Sequence, residues 1–467
     1  MSGNWPIKTI DDLKAPIQGS IAVGPFGSRM KSDCYVDFGI PVIRGTNITG
    51  GPAFEGEFVY ITKEKADTLG SSNVYKGDLV FPHRGAIGEV GIVRNDSHYV
   101  LSSSLMKLTP DAKIADSLFL YYFFKSQVGK HELLKNASQV GTPGIGQPLT
   151  SLKQIELKLP PLSIQQQIAK ILGDLDDKIA INNQINQTLE AMAQALFKSW
   201  FVDFDPVKAK MKARAEGGND DDVSRAAMAV IAGKSGDDLK QFEQKNPEEF
   251  AKLAETADLF PERLVESVLG EIPEGWEVKT VGEVSMFSDK RISVNQLNLE
   301  NYVSTENMLP YKCGITNASS LPTTPTTPLF ESGQILVSNI RPYFQKIWLA
   351  TFSGGRSNDV LGFVPKIKGI SEFLFNLMYQ DSFFEFMMTT SKGAKMPRGD
   401  KDAIMKYQIV FDKNIAIHFS KKVKAINELY AEHIVEIKIL SETRDTLMPR
   451  LLSGEIDLSS FGDEVGE

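Results

Sequence analysis

The chain has 467 residues, a formal net charge of -8 and two cysteines, Cys34 and Cys313. No apolar run approaches the ~18 residues a membrane span needs, the first residues lack a charged-then-apolar signal segment, and two distant cysteines without a Cys or His partner at ligand spacing suggest neither a disulfide framework nor a zinc site. The expectation is a cytoplasmic chain with both thiols buried; its acidity sits in residues 202–270 and 453–467, leaving the remainder near neutral and open to a one-sided basic face.

In chain order, Trp5-x-x-Lys8-Thr9-Ile10 comes first and returns as Trp276-x-x-Lys279-Thr280-Val281. Arg84, after Lys76-Gly77-Asp78-Leu79-Val80, is matched by Arg341 after Ser332-Gly333-Gln334-Ile335-Leu336. Ser103 to Pro110 matches Asn358 to Pro365, and Ser117-x-Phe119-Leu120 matches Ser371-x-Phe373-Leu374. Leu152 and Ile185 match Ile404 and Ile437, so the separation shrinks from 271 to 252 residues. Ordered drift of this kind marks a duplicated domain with small loop deletions, each copy large enough for its own core.

Within each copy, Phe119 to Phe124 reads as helix, and Ile155-x-Leu157-x-Leu159 and Tyr407-x-Ile409-x-Phe411 alternate with the period of strands. Gly24 and Gly27 serve backbone geometry. Leu159-Pro160-Pro161-Leu162-Ser163 then announces a helix capped by Ser163. Its apolar series, Ile164, Ile168, Ile171, Leu175, Ile185, Leu189, Met192 and Leu196, has coiled-coil spacing broken by Lys178 and Asn182. A second series closes the other copy: Phe419, Ile426, Tyr430, His433, Ile437, Leu440, Leu447 and Leu451, with Arg444 in one slot and Asp412 or Asn414 as cap. A helix of roughly 37 residues is ~55 Å long, suited to a strut, and the two are expected to pair. The alternative is two independent amphipathic helices.

Between the copies, Glu216-Gly217-Gly218-Asn219-Asp220-Asp221-Asp222 and Lys234-Ser235-Gly236-Asp237-Asp238 suggest short helices in an exposed linking segment, either a partner surface or plainly solvated. Gly233-Lys234-Ser235 imitates the end of a phosphate-binding loop, but Met228 stands where that motif needs its first glycine. The only Pro-Pro is followed by Leu162, so the Pro-Pro-aromatic signature of an amino-methyltransferase is absent. His83 has no second histidine at ligand spacing. The chain reads as non-catalytic, with no metal.

The run Leu159-Pro160-Pro161-Leu162, Gln165, Ile168, Ile171-Leu172, Leu175-Asp176-Asp177-Lys178-Ile179, Asn182, Asn186, Leu189-Glu190, Leu196-Phe197, Trp200-Phe201 resembles the helical region of type I restriction-modification specificity subunits. Leu447-Met448-Pro449-Arg450-Leu451-Leu452-Ser453-Gly454-Glu455-Ile456 resembles their C-terminal helix. Gly24 to Ser28, Gly39 to Ile48, and Tyr302 to Met308 resemble the openings of their target-recognition domains. Ile164 departs from the family, which commonly has an acidic residue there.

The resemblance implies an α/β (α+β) fold: two tandem target-recognition domains separated by two long helices that pair as an antiparallel coiled coil. The expected segments are 1–158 and 271–411 for the domains, 159–201 and 412–454 for the helices, 202–270 for the connector and 455–467 for an acidic tail. The implied role is to read an asymmetric bipartite site on double-stranded DNA and to scaffold two methyltransferase subunits and restriction/translocase subunits. No cofactor is expected on this chain; S-adenosylmethionine, ATP and Mg are implied for the partner subunits. A protein-protein scaffold with vestigial domains is the competing reading.

Base edges are read by forked donors and amides, and phosphates by Ser, Thr, Lys and loop amides. The candidate DNA-binding residues are therefore Ser28, Arg29, Arg44, Asn47, His83, Arg84, Ser103, Thr142 and Gln147 in the first domain. In the second they are Thr305, Asn307, Asn339, Arg341, Arg356, Asn358, Lys395 and Arg398. Arg84 and Arg341 stand out because they recur at matching positions, whereas Arg44-Gly45-Thr46-Asn47 shows no alignable second copy. If the helices act as a ruler, four residues inserted after Asn182 should lengthen the gap between half-sites by one or two base pairs.

Overall fold

The structure is a computed structural model that describes residues 5–138, 143–393 and 395–458. Contacts divide it into two compact units, an outer one of Met1–Asn183 with Ile434–Glu467 and a central one of Gln184–His433. Each unit holds one sheet-rich domain and half of each long helix, Leu162–Phe201 and Lys413–Leu452.

In the outer unit, Thr9 explains the first repeated motif. Its hydroxyl accepts from the Asp12 amide while the Asp12 carboxylate accepts from the Thr9 amide, a reciprocal cap on Ile10–Leu13. The preceding strand Ile7–Thr9 pairs antiparallel with Glu156–Lys158, the alternating strand read from the sequence. A four-stranded antiparallel sheet runs in the order Ile21–Val23, Leu105–Leu108, Leu79–Pro82, Gly91–Ile92. A five-stranded sheet contains the parallel pair Ile40–Ile43 and Tyr99–Leu101. Gly24 lets the chain pass Ser102, whose carbonyl oxygen would lie 1.9 Å from any Cβ placed there, and Gly27 has a left-handed φ of 51°. Helix Ser117–Lys125 buries Phe119 to Phe124 against Leu79, Phe81, Met106 and Leu108, and Ile168, Leu172 and Leu451 of the long helices close the same core.

The central unit repeats this frame. Glu283 caps the Thr280 amide, Glu277–Thr280 pairs with Gln408–Phe411, and the four-stranded sheet has the same order: Ser285–Phe287, Val360–Pro365, Ile335–Ser338, Ile347–Leu349. A parallel pair recurs as well, Tyr302–Val303 with Gly354–Arg356, in a sheet of four strands instead of five.

Within each unit the helix halves are antiparallel. In the outer unit Arg444 Nη1 donates to Asp176 at 2.7 Å and Asn182 to Glu436 at 2.8 Å. In the central unit His433 lies 3.0 Å from Asn186, and the Phe197 and Phe419 rings pack edge to face at 5.7 Å. Asp412 caps the second helix through the Ile415 amide. The first helix starts at Leu162, one residue before Ser163, so Ser163 lies in its first turn, and the Pro161 carbonyl accepts the Gln165 amide.

Three expectations are corrected. First, Ile185 and Met192 are exposed instead of seam residues, because the C-terminal half of the first helix turns to bury Ala193, Phe197 and Trp200, one position further round. Large rings outweigh smaller aliphatic chains in such a choice. The stripe then buries Asn182 and Asn186. Ile164, Ile168, Ile171 and Leu196 pack into the cores; Leu175, Leu189, Ile426, Tyr430, Ile437, Leu440 and Leu447 are half-buried, and Phe419 is fully buried.

Second, the connector is no exposed linker. Helices Asp205–Ala215, Asp220–Ala232, Gly236–Lys245 and Pro247–Asp258 bury Val207, Val223, Ala227, Met228, Ile231 and Leu253, and most of these join the core around Trp200, Phe204, Phe260 and Trp276. Gly233 ends one helix in a left-handed conformation and Ser235 caps the next, which accounts for the Gly-Lys-Ser imitation. Third, Cys34 is only half-buried, at the end of the single helical turn Ser32–Cys34, and Cys313 is exposed in a loop.

Candidate nucleic-acid interface

Strand Leu79–Pro82 ends in His83, whose backbone ties three loops together. Its amide donates to the Ser104 carbonyl, its carbonyl accepts from Ile145, and its Nε2 lies 3.1 Å from the Ser103 carbonyl. His83 is buried, and desolvation, only partly opposed by the Ser103 hydrogen bond, holds its pKa below the usual histidine value. It is a clamp, withdrawn from DNA. The next residue, Arg84, is exposed and its guanidinium has no partner among the described residues. The Gly85 amide donates to the Pro143 carbonyl, and exposed Gln147 holds a left-handed φ of 48° before helix Pro148–Lys153.

The second domain builds the same corner from other residues. Strand Ile335–Ser338 ends in buried Asn339, whose amide donates to Asp359 and whose carbonyl accepts from Gly399. The Arg341 amide donates to the Pro397 carbonyl at 2.8 Å, as Gly85 does to Pro143. Arg341 is exposed, and its guanidinium also has no partner among the described residues. In each domain three loops thus meet beneath one free arginine, but the sequence match of the two is corrected by one residue: strand register sets Arg84 level with Ile340 and Arg341 level with Gly85.

The structure also supplies the second copy that the sequence did not reveal for Arg44-Gly45-Thr46-Asn47. The Arg44 amide donates to Asn47 Oδ1 at 2.9 Å, and the Ser304 amide to Asn307 Oδ1 at 2.6 Å. Asn47 Nδ2 donates to the carbonyls of Glu55 and Glu57, and Asn307 Nδ2 to those of Tyr302 and Thr316. Both asparagines are buried loop staples with their amides spent on backbone, so burial removes them from base reading. Arg44 is half-buried and donates to the Glu57 carbonyl. Arg356 is withdrawn too: it is buried, it donates to the carbonyls of Val360 and Ser288, and burial ahead of the nearby charge of Arg291 lowers its pKa to about 10.

Of the other candidates, Arg29 is exposed and donates to the Thr68 carbonyl at 3.0 Å. Arg398 is exposed and paired with Asp359 at 3.3 Å. Ser103, Asn358 and Lys395 are exposed, and Thr305 is half-buried with its carbonyl accepting from Lys346. The Ser28 side chain and Thr142 lie outside the described residues. Three exposed or half-exposed residues of the second corner, Tyr311, Tyr343 and Gln345, were missed by the sequence reading. Pro342 after Arg341 was the available sign of a constrained turn.

Among the described residues no group of three or more His, Cys, Asp or Glu could hold a metal, and no helix is long and apolar enough to cross a membrane.

Residues 27–191 match the family described as the type I restriction modification DNA specificity domain. The chain is 31% identical over 402 residues to the type I restriction enzyme HindI specificity subunit of Haemophilus influenzae, covering 82% of this chain and 87% of that protein. It is 24% identical over 489 residues to the MjaIX specificity subunit of Methanocaldococcus jannaschii, covering 97% and 94%. Its fold is similar to the crystal structure of the type I restriction-modification S subunit from M. genitalium, with a TM-score of 0.55, 15% identity and 96% of each chain covered. Two copies of one sheet frame, a free arginine at the same corner of each and paired helix halves thus belong to a chain of the type I restriction enzyme specificity subunits, the non-catalytic subunits that give such enzymes their DNA sequence specificity.

Proposed function

We propose that this subunit reads an asymmetric bipartite site on double-stranded DNA, one half-site per domain, with Arg84 and Arg341, one position apart in strand register, as the base reader of each. The observation that carries the reading is the free guanidinium at one corner of a repeated frame whose other loop residues differ. A bidentate arginine suits guanine in the major groove. Exposed Arg29, Ser103, Gln147, Asn358, Lys395 and Arg398 serve as phosphate or secondary base contacts.

The long helices set the spacing of the half-sites and carry two methyltransferase subunits. Apolar side chains left in solvent on the helix halves support a docking role: Ile181, Ile434, Val435 and Ile439 in the outer unit, and Ile185, Met192 and Leu429 in the central one. Restriction/translocase subunits join that core. S-adenosylmethionine, ATP and Mg belong to those partners, and the complex works in the cytoplasm.

The test is exchange of residues 1–155 for those of a relative in the assembled methyltransferase, followed by methylation mapping. One half of the recognised sequence changes and the other stays. A change in both halves, or in neither, overturns the reading.

A further inference from the structure

Six non-glycine residues among those described hold a left-handed backbone: Gln147, Phe204, Tyr311, Lys312, Arg341 and Gln345. Four of the six meet at the Arg341 corner, and Gln147 sits at the matching corner of the first domain. Such a backbone is unfavourable for any residue with a Cβ and persists only where the surroundings impose it. Here they do. The Tyr311 amide donates to the Phe344 carbonyl at 2.7 Å, the Lys312 amide to the Gln345 carbonyl at 2.9 Å, and the Arg341 amide to Pro397. Lys312 Nζ and Gln345 Nε2 both reach Asp381, at 2.6 and 3.1 Å, in the first turn of helix Asp381–Thr389.

The product is a braced tip. The short turn Pro342–Phe344 lies between two left-handed residues, and around it Arg341 is exposed, Tyr311 is 68% exposed and Tyr343 47%. Neither tyrosine hydroxyl has a hydrogen-bond partner among the described residues. Apart from the packing of the Tyr343 ring on Phe344 at 4.6 Å, two large rings left in water on a strained support add little to folding. Presented on a rigid backbone, they lose little conformational freedom when a surface covers them. The first domain has no aromatic there: its run is Arg84-Gly85-Ala86-Ile87-Gly88.

We propose that Tyr311 and Tyr343 are specificity-determining residues of the second domain, placing their rings against thymine methyl groups and sugar edges beside the base that Arg341 reads. This rests on the reading of that domain as a half-site reader. The hydrogen bonds that impose the strained turn, including that of Gln345 to Asp381, are then what hold the tip rigid, so loosening them should cost discrimination.

Methylation mapping of the assembled enzyme tests it, alongside melting temperatures. In Tyr343→Ala and Tyr311→Ala, selectivity at one or two positions of the second half-site is expected to fall about tenfold each, with the first half-site and the melting temperature unchanged. Tyr343→Phe should keep the wild-type sequence preference. Gln345→Gly, which loses the Asp381 contact and the imposed turn together, should select less sharply. A double Tyr311→Ala, Tyr343→Ala variant with the wild-type recognition sequence and rate overturns the proposal, as does a loss that appears only with a lowered melting temperature. If the exchange of residues 1–155 behaves as expected while the double variant is silent, only the tip falls; if the exchange also fails, the half-site reading falls with it.

Discussion

The two recognition domains share a frame and differ in what is mounted on it. Both have a four-stranded antiparallel sheet of the same order, an asparagine staple and a free arginine after the same strand. The first domain carries glycines beside its arginine, and the second carries two tyrosines on a strained turn. Their attachments to the helices also differ. In the outer unit Tyr122 and Arg444 both bond the buried Asp176 carboxylate, at 2.7 Å each. Burial first, and then the nearby Asp176 carboxylate, raises the Tyr122 pKa beyond the ordinary tyrosine range. In the central unit the corresponding attachment is neutral and aromatic: Gln194 donates to Asn376 at 2.7 Å, and Phe197, Phe201, Phe373 and Phe419 interlock. Duplication thus preserved the backbone hydrogen bonding that makes a domain, while the loops around the arginine corner and the helix contacts diverged.

The most drastic way to break the comparison is to shift one helix against the other. Four residues inserted after Asn182 in the first helix alone would displace one side of the buried polar pairs by ~6 Å. The structure therefore refines the ruler expectation: this variant should lose assembly and methylation. The same insertion made also after His433 should restore both and lengthen the gap by one or two base pairs, as methylation mapping would show. An active single insertion with an unaltered gap would mean that the helices do not measure DNA.

Next comes the ionic attachment. Arg444→Ala leaves Asp176 without its cation, which should lower stability by about 2 to 3 kcal/mol, less than for a wholly buried pair because Arg444 is partly exposed. Gln194→Ala, at the neutral attachment, should cost only about 1 kcal/mol. Denaturant midpoints of the two variants give the ranking, and equal losses would show that the difference in chemistry has no energetic consequence.

The staples should behave alike in both domains. Asn47→Ala and Asn307→Ala each strand backbone groups and should destabilise by roughly 2 kcal/mol, with the recognised sequence unchanged wherever the enzyme still assembles. A shift in specificity would return these residues to the DNA surface. Arg84→Ala and Arg341→Ala should do the reverse, leaving the melting temperature alone while each loses roughly 1 to 3 kcal/mol of discrimination at its own half-site. Wild-type selectivity in both variants would make these arginines ordinary solvated side chains.

The duplication, the strands near Leu157 and Ile409, the aromatic helix Phe119 to Phe124 and both long helices could be read from the sequence by itself, because each is a local pattern repeated at a fixed period. The sequence match of Arg84 with Arg341 is one position out, because order along the chain does not fix register: the strands set Arg84 level with Ile340 and Arg341 level with Gly85. Tertiary structure decided the rest. The buried face of the first helix was chosen by where Phe197 and Trp200 could pack, a contest between near-equal stripes that spacing does not resolve. The connector became part of a core because Phe260 and Trp276 gave its helices an apolar surface to cover. Asn47 and Asn307 look like base readers in a residue list and became staples because carbonyls distant in the chain converge on their amides. The left-handed turn at Arg341 and Gln345 has no glycine to announce it, since it is imposed by hydrogen bonds from the Tyr311 and Lys312 amides and to the Pro397 carbonyl that exist only once the domain has folded.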